Sequence, residues 1–590
     1  MLGLGATAFA QTSSSELEAR VIVKFKPNAD MLRVHALSVN ASSSETTDAV
    51  TARANTMGGR LGVSLRAGRA LTQDSQVVFA SGMRSDLLAE RLAGQPEVEY
   101  AVVDERRTHF AIPSDPLYSS GPAINGSMGG PVVGQWYLRA PAGEVVASIN
   151  AIKAWEISTG SSHIVVADLD TGVRPEHPDL AGRLLPGYDM VSDPLAANDG
   201  NGRDADATDP GDWVTQAESD NIKGTFSGCD ATNSSWHGTM TASLIGAASN
   251  DGVGMAGVAW GVKVLPVRVL GKCGGYDSDV IAGMLWASGL AVPGVPLNPN
   301  PARVINMSLG SSGSCSQSYR DAIAQLSNKE NPTVIVASAG NSVGHAVSAP
   351  ANCPGVIAVA GLRHIGTKVG FSDLGPEITI SAPGGNCVNT GANMPCLYPI
   401  LAASNTGTTG PVSSTYTDAF NASVGTSFSA PLVSGTVALL LSAQPILTPS
   451  EVKVILQSSA RPFPSSGAAD DPSAGPIQAC HAPNGQDQGQ CYCTLATCGA
   501  GMLDTGRALS TLAGIQSHDC LFNWAQKNYS ELFSSPADSQ FFGPYYYRYY
   551  PATNNYLGVS SEDNKVYFLS ADVMHDEGLA NGWYTTTNCR

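Results

Sequence analysis

Ile164-Val165-Val166-Ala167-Asp168-Leu169-Asp170-Thr171-Gly172-Val173 is an apolar run of strand length, closed by two acidic residues and a glycine turn. The run is too short for a stable helix and rich in β-branched residues, so residues 164–169 read as a buried strand. Runs of the same kind recur at 262–269, 303–307, 333–337 and 356–360, with helical patterns between them from about residue 136 to residue 513. Short strands alternating with helices predict an α/β fold, a parallel sheet flanked by helices. In such a sheet reactive groups gather at the carboxyl ends of strands. Asp170 stands at such an end.

Two further segments carry chemistry. Trp236-His237-Gly238-Thr239 opens an apolar helix, and Gly425-Thr426-Ser427-Phe428-Ser429-Ala430-Pro431 leads into another over residues 432–441. A serine hydroxyl attacks an amide only if a base takes its proton, and neutral histidine has the pKa for that near neutral pH. A carboxylate fixes the histidine tautomer and stabilises the imidazolium. A serine at a helix N-terminus gains again, because the dipole and its own N–H favour the oxyanion formed on attack. Asp170, His237 and Ser427 are therefore the candidates. Asp168 lies on the same strand face and rivals Asp170, and Thr171-Gly172 directly after Asp170 selects the latter.

Asp-Thr-Gly, His-Gly-Thr and Gly-Thr-Ser-x-Ser-x-Pro, in that order, resemble the pattern of the subtilisin-like serine peptidases, the subtilases of peptidase family S8. The resemblance covers about residues 20–513. It implies a subtilisin-like domain over 115–513 and a serine endopeptidase that hydrolyses protein or peptide substrates through an acyl-enzyme. Val336-Ala337-Ser338-Ala339-Gly340-Asn341 is similar to the family segment whose asparagine donates to the oxyanion, which gives Asn341 that role. By the same resemblance Ser308, Leu309 and Gly310 form the edge that pairs with an extended peptide, and Ala339 and Gly340 also bind substrate. The acid-acting serine-carboxyl peptidases share Gly-Thr-Ser but use glutamate in place of histidine, and His237 excludes them. A binding protein on a dead protease fold is the other alternative, and the intact Asp170, His237, Ser427 and Asn341 argue against it. Met240, Ser243 and Asp168 depart from the family pattern.

The segment between Asp170 and His237 is long and carries Asp199, Asp204, Asp206, Asp209 and Asp212 in a Gly- and Asn-rich stretch. Closely spaced carboxylates suit a hard cation such as structural calcium, or else only a solvated loop. Asp179, in His177-Pro178-Asp179-Leu180, matches a calcium-binding position of several subtilases, with Gln135 and Asn250 as weaker candidates.

The rest of the 590-residue chain divides around this domain. Residues 1–10 end in Ala8-Phe9-Ala10, the small-x-small rule of a cleavage site, and read as a signal-peptide remnant or as a frayed terminus. Export to the extracellular space is expected. Residues 19–110 read as a small α/β unit, and the resemblance makes it a propeptide, the chain's own chaperone and inhibitor, removed between Phe110 and Leu117. Residues 516–590 read as a small, disulfide-closed, β-rich module: 16 of the 40 aromatics fall in the last 76 residues, either as its core or as a sugar-stacking surface. Twelve cysteines, all beyond residue 228, suit disulfides in an exported region, with Cys315–Cys353, Cys387–Cys396 and Cys520–Cys589 as expected pairs. The net charge is -17, and residues 1–112 hold 12 basic and 12 acidic side chains, so the acidity lies in the remainder. Nucleic acid, which needs a basic face, is not an expected partner, and no membrane span is expected.

Overall fold

The computed structural model describes residues 18–104, 112–121, 134–386, 398–417, 424–467, 477–534, 539–542, 545–560, 566–570 and 573–574. The first unit is a four-stranded antiparallel sheet of β1 (Glu18–Phe25), β2 (Arg66–Thr72), β3 (Ser75–Ser81) and β4 (Val98–Val103) in the order β2-β3-β1-β4. The Ser43–Leu61 helix, which starts in a capping box between Ser42 and Glu45, and the Ser85–Ala93 helix supply Met57 and Leu88 to its core. That core is a cluster of its own.

The central sheet has seven parallel strands: β5 (Val165–Asp170), β6 (Tyr188–Asp189), β7 (Lys263–Arg268), β8 (Val304–Met307), β9 (Val334–Ser338), β10 (Val356–Leu362) and β11 (Ile378–Pro383). Their order is β11-β10-β9-β8-β5-β7-β6. The chain builds β6 and β7 on one side of β5 and then crosses to β8 on the other, so the order reverses between β5 and β8. Crevices open at such a switch point, outside the carboxyl ends of the strands.

Side chains alternate across β5. Val165, Ala167 and Leu169 enter one core layer, with the Asp277–Ala287 and Gln317–Ser327 helices. Val166 enters the other, with the His237–Gly246 and Thr426–Ala443 helices, so Asp168 and Asp170 share that side. The Thr426–Ala443 helix is long and apolar enough to cross a bilayer, yet it is a core helix packed on β8, β9 and β10.

Beyond the central sheet lie the hairpin β12 (Ala403–Asn405) and β13 (Ser414–Tyr416) and a tail sheet of β14 (Ser539–Phe542), β15 (Tyr545–Tyr550), β16 (Asn555–Ser560), β17 (Val566–Ser570) and β18 (Val573–Met574). The tail is β-rich, as expected, but the expected boundary between 513 and 516 falls inside one helix, Thr505–Asn528. Phe522, Phe533, Tyr550 and Phe568 join the same core cluster as the central sheet, so these tail aromatics serve as core. On the amino side, the expected linker also differs: Asp115 and Tyr118 are buried, and Leu117 N–H donates to Gly254 O.

Cys315–Cys353 forms as expected, with Cys229–Cys273, Cys480–Cys491 and Cys493–Cys498 beside it. Cys387–Cys396 and Cys589 lie outside the described residues, as do the signal-like segment and residues 105–111.

Candidate active site

Asp170 ends β5, and its carboxylate accepts from Thr171 N at 2.8 Å and from His237 Nδ1 at 2.8 and 2.9 Å. That double contact orients the imidazole. Trp236, in the left-handed region at φ 54°, turns the chain into the His237 helix, and its indole N–H donates to Gly407 O at 2.7 Å. Gly238 is needed for close approach: a Cβ there would lie 2.1 Å from Gly172 O, so any side chain would push the helix off the Asp-Thr-Gly turn. Gly238 N donates to Thr171 Oγ1, which donates to the buried Asp209 at 2.7 Å.

Ser427 sits in the first turn of the Thr426–Ala443 helix. Its hydroxyl donates to Ser308 O at 3.2 Å, and Ser308 Oγ donates back to Ser427 O at 2.7 Å. The neighbouring Phe428 ring lies 5.5 Å from the His237 ring, which brings the serine turn to the imidazole. Asn341 Oδ1 accepts from both Thr426 N and Thr426 Oγ1 at 3.0 Å. With that oxygen tied down, the amide nitrogen faces the serine turn: the Cβ position of Gly425 is 3.5 Å from Asn341 Nδ2 and 3.7 Å from Ser427 N. Thr426 as the orienting partner was legible only as part of the Gly-Thr-Ser motif.

Burial alone would lower the His237 pKa, but the charge and hydrogen bond of Asp170 raise it to about 9, with the charge of Asp212 adding to them. Asp212 takes part through the loop, where it accepts from Ser235 N at 2.6 Å and Ser235 Oγ at 2.7 Å just before His237.

A cleft of about 440 Å³ runs from His237 and Ser308 past Leu309 and Gly310 to Gly275 and Tyr319. Among the described residues the backbones of Leu309 and Gly310 have no partner, so they can pair with an extended chain. Ala339 and Gly340, expected to bind substrate, have their backbone groups committed to the fold. Ala339 N donates to Val359 O and its carbonyl accepts from Ser348 N, while Gly340 N donates to Thr426 Oγ1 and its carbonyl accepts from Asp373 N.

The acidic loop is not one site. Asp199 pairs with Arg268 at 2.8 Å, Asp204 and Asp206 accept from the N–H two residues on, and Asp209 and Asp212 support Thr171 and Ser235. Among the described residues no three of these carboxylates bring oxygens within 4.8 Å of one another. Each short acidic side chain finds its own local turn, and so points along the loop rather than to a common centre. Asp179 differs. It is fully buried, Oδ2 accepts from Met255 N at 3.0 Å, and Oδ1 has no partner. Burial pushes its pKa to about 7, and the charges of Asp251 and Asp115 add to that. Gln135 is close by, but both ends of its amide are committed, to Ala256 N and to Tyr137 and Ala256 O. Asn250 Oδ1 accepts from Ser114 N.

The profile of the subtilase family matches residues 161–492. The chain belongs to the subtilase family. Among subtilase-like relatives, an extracellular protease of Xanthomonas campestris pv. campestris is 40% identical over 64% of this chain and 58% of that protein. An extracellular basic protease of Dichelobacter nodosus is 38% identical over 63% of this chain and 55% of its own length. This chain thus spans little more than half the length of those relatives. A solved protease of Pseudoalteromonas arctica superposes with a TM-score of 0.55 at 41% identity, covering 68% of this chain and 99% of that one. The family positions for Met240 and Ser243 are accommodated locally: Ser243 Oγ donates to Met240 O and accepts from Ala403 N, which anchors β12.

Proposed function

We propose that the chain is a secreted serine endopeptidase, made as a precursor that cleaves itself, with Ser427 as nucleophile, His237 as base, Asp170 as orienting acid and Asn341 as oxyanion donor. The observation that carries this reading is the serine turn. There Asn341 Nδ2 and Ser427 N border one small space beside the hydroxyl, and His237 is oriented by Asp170. Relatives named as extracellular proteases support the same reading.

In this mechanism the Ser427 hydroxyl turns from Ser308 O to His237 Nε2. Its oxygen bonds the substrate carbonyl carbon as its proton passes to the imidazole. The carbonyl oxygen becomes an oxyanion held by Asn341 Nδ2 and Ser427 N. The imidazolium then protonates the leaving amine, the C–N bond breaks, and water repeats the sequence on the acyl-enzyme. Protein substrates enter as a strand along Leu309 and Gly310. The residue 18–104 unit, with a core of its own, acts as the detachable chaperone and inhibitor, and cleavage falls between residues 110 and 117.

For a structural calcium ion Asp179 is the better candidate ligand, since a buried carboxylate oxygen there lacks a partner and Asp115 and Asp251 add negative charge, whereas each acid of the 199–212 loop is committed to its own local partner. Such an ion would stabilise the fold and take no part in the chemistry.

The test is a fluorophosphonate probe on the purified protein. Covalent labelling at Ser427 with parallel loss of casein hydrolysis is expected, and casein hydrolysis that persists in Ser427→Ala would overturn the assignment.

A further inference from the structure

Two carboxylates are buried around one hydroxyl beneath His237. Thr241 Oγ1 lies 2.7 Å from Asp168 Oδ2, 3.2 Å from the His237 and Gly238 carbonyl oxygens of its own helix, and 3.5 Å from Asp170 Oδ2. A hydroxyl has a single hydrogen to give, so it cannot satisfy two anions. Asp170 already holds His237 Nδ1 and Thr171 N, the partners of a carboxylate.

Asp168 has no such company. The groups that reach it are Asp170 on its own strand, His237 and Thr241 on the His237–Gly246 helix, and Asn306 on β8, which links to Ser434 on the Thr426–Ala443 helix. Arg268, on the neighbouring β7, sends its guanidinium to Thr171 O, Asp189 and Asp199 instead. A second anion at this place would be desolvated and repelled by Asp170, with only the His237 imidazolium, already paired with Asp170, to offset it. Burial and the charge of Asp170 accordingly drive the Asp168 carboxyl well above the usual carboxylate range.

Donor directions around Asp168 locate its proton. The Ser434 hydroxyl donates to Asn306 Oδ1 at 2.8 Å. The Asn306 amide nitrogen therefore donates to Asp168 Oδ1 at 2.8 Å and to Ser308 Oγ at 3.0 Å. Asp168 Oδ2 is left facing Thr241.

Resting on the active-site reading above, we propose that Asp168 is a positioning residue. It is a neutral carboxylic acid that donates from Oδ2 to Thr241 Oγ1, so that the Thr241 hydroxyl donates in turn to Asp170 Oδ2 and fixes the carboxylate that orients His237. In this arrangement Asn306 Oδ1, Asp168 Oδ1 and Thr241 Oγ1 each have a donor, and the charge of Asp170 draws the Thr241 hydrogen away from the nearer His237 and Gly238 carbonyls. The same asparagine reaches Ser308, whose hydroxyl holds the Ser427 carbonyl, so one network braces the acid, the base and the nucleophile. The proton also keeps a single negative charge beneath the imidazole.

The experiment compares wild type, Asp168→Asn, Asp168→Leu and Thr241→Val in the full chain, with kcat and KM on a chromogenic peptide from pH 6 to 11 after fluorophosphonate titration of active sites. Asparagine can donate to Thr241 as the acid does, so Asp168→Asn retains kcat within about threefold near neutral pH. Asp168→Leu and Thr241→Val each lose about tenfold or more in kcat with little change in KM, the order expected for a hydrogen bond to a charged group. At alkaline pH the wild type falls off as Asp168 ionises, and Asp168→Asn does not. If Asp168→Asn loses as much as Asp168→Leu, the neutral-acid role is overturned. If Thr241→Val keeps wild-type kcat and pH profile, the relay is overturned, and that variant decides the matter should Asp168→Leu fail to fold. Wild type that neither labels at Ser427 nor cleaves the peptide overturns the active-site reading itself, which is a separate outcome.

Discussion

The two ends of the chain attach to the central sheet in opposite ways. The residue 18–104 unit closes a core of its own around Val21, Met57 and Leu88. Among the described residues the tail forms no separate core: Phe522 and Phe533, both fully buried, continue the cluster that holds Val166 and Val437. A segment with its own core can be cut loose without opening either core. One that shares a core cannot leave without opening a cavity in what remains. On this basis the amino-terminal unit is suited to transient service and the tail to permanent residence.

The largest expected effect tests the release of the first unit. Ser427→Ala should lower peptide hydrolysis by about a millionfold and leave the precursor at full length by mass spectrometry, whereas wild type separates its first unit. Next come the two cores. Phe522→Ala or Phe533→Ala should cost about 3–5 kcal/mol in denaturant unfolding of the processed protein. Met57→Ala, in the first unit, should leave the processed protein's midpoint where it was. A tail substitution that melted separately from the catalytic unit would break the comparison.

Asn341→Ala should reduce kcat by about 10²- to 10³-fold with little change in KM, slowing release of the first unit in proportion. The pH dependence follows from His237. Its base form is neutral and its pKa is raised to about 9, so kcat/KM should climb from neutral pH toward about 9 instead of levelling near 6.5. A profile already flat at pH 7 would count against the charges assigned around the ring. The smallest effect is metal removal: a chelator should lower the melting temperature by several degrees, and Asp179→Asn should abolish that response while variants of Asp204 or Asp206 retain it.

Much of the fold was legible because it is local. Residues 164–169, 303–307 and 356–360 carry enough β-branched and apolar residues to mark β5, β8 and β10, each found within a residue or two of its expected bounds. β6, two residues long, and the helix that runs unbroken from Thr505 to Asn528 were not legible, the first for want of any period and the second because a composition change is not a structural boundary. At the candidate site the three motifs named Asp170, His237 and Ser427, which the fold brings to one end of the sheet. The acidic loop misled because clustered aspartates signal a cation and a set of local turns equally well.

By itself, the sequence determined the order of the motifs, the residue types that can do acyl transfer chemistry, and the strand that carries Asp170 to the carboxyl end of a parallel sheet. Only the tertiary structure decided what the buried acids do. Asp168 meets Asn306, 138 residues away, and Thr241, 73 residues away, while Asp179 is left with an unpartnered oxygen. The physical reason is that a carboxyl group's charge is set by desolvation and by the donors that face it. Those donors come from elements far apart in the chain, where no local pattern records their approach.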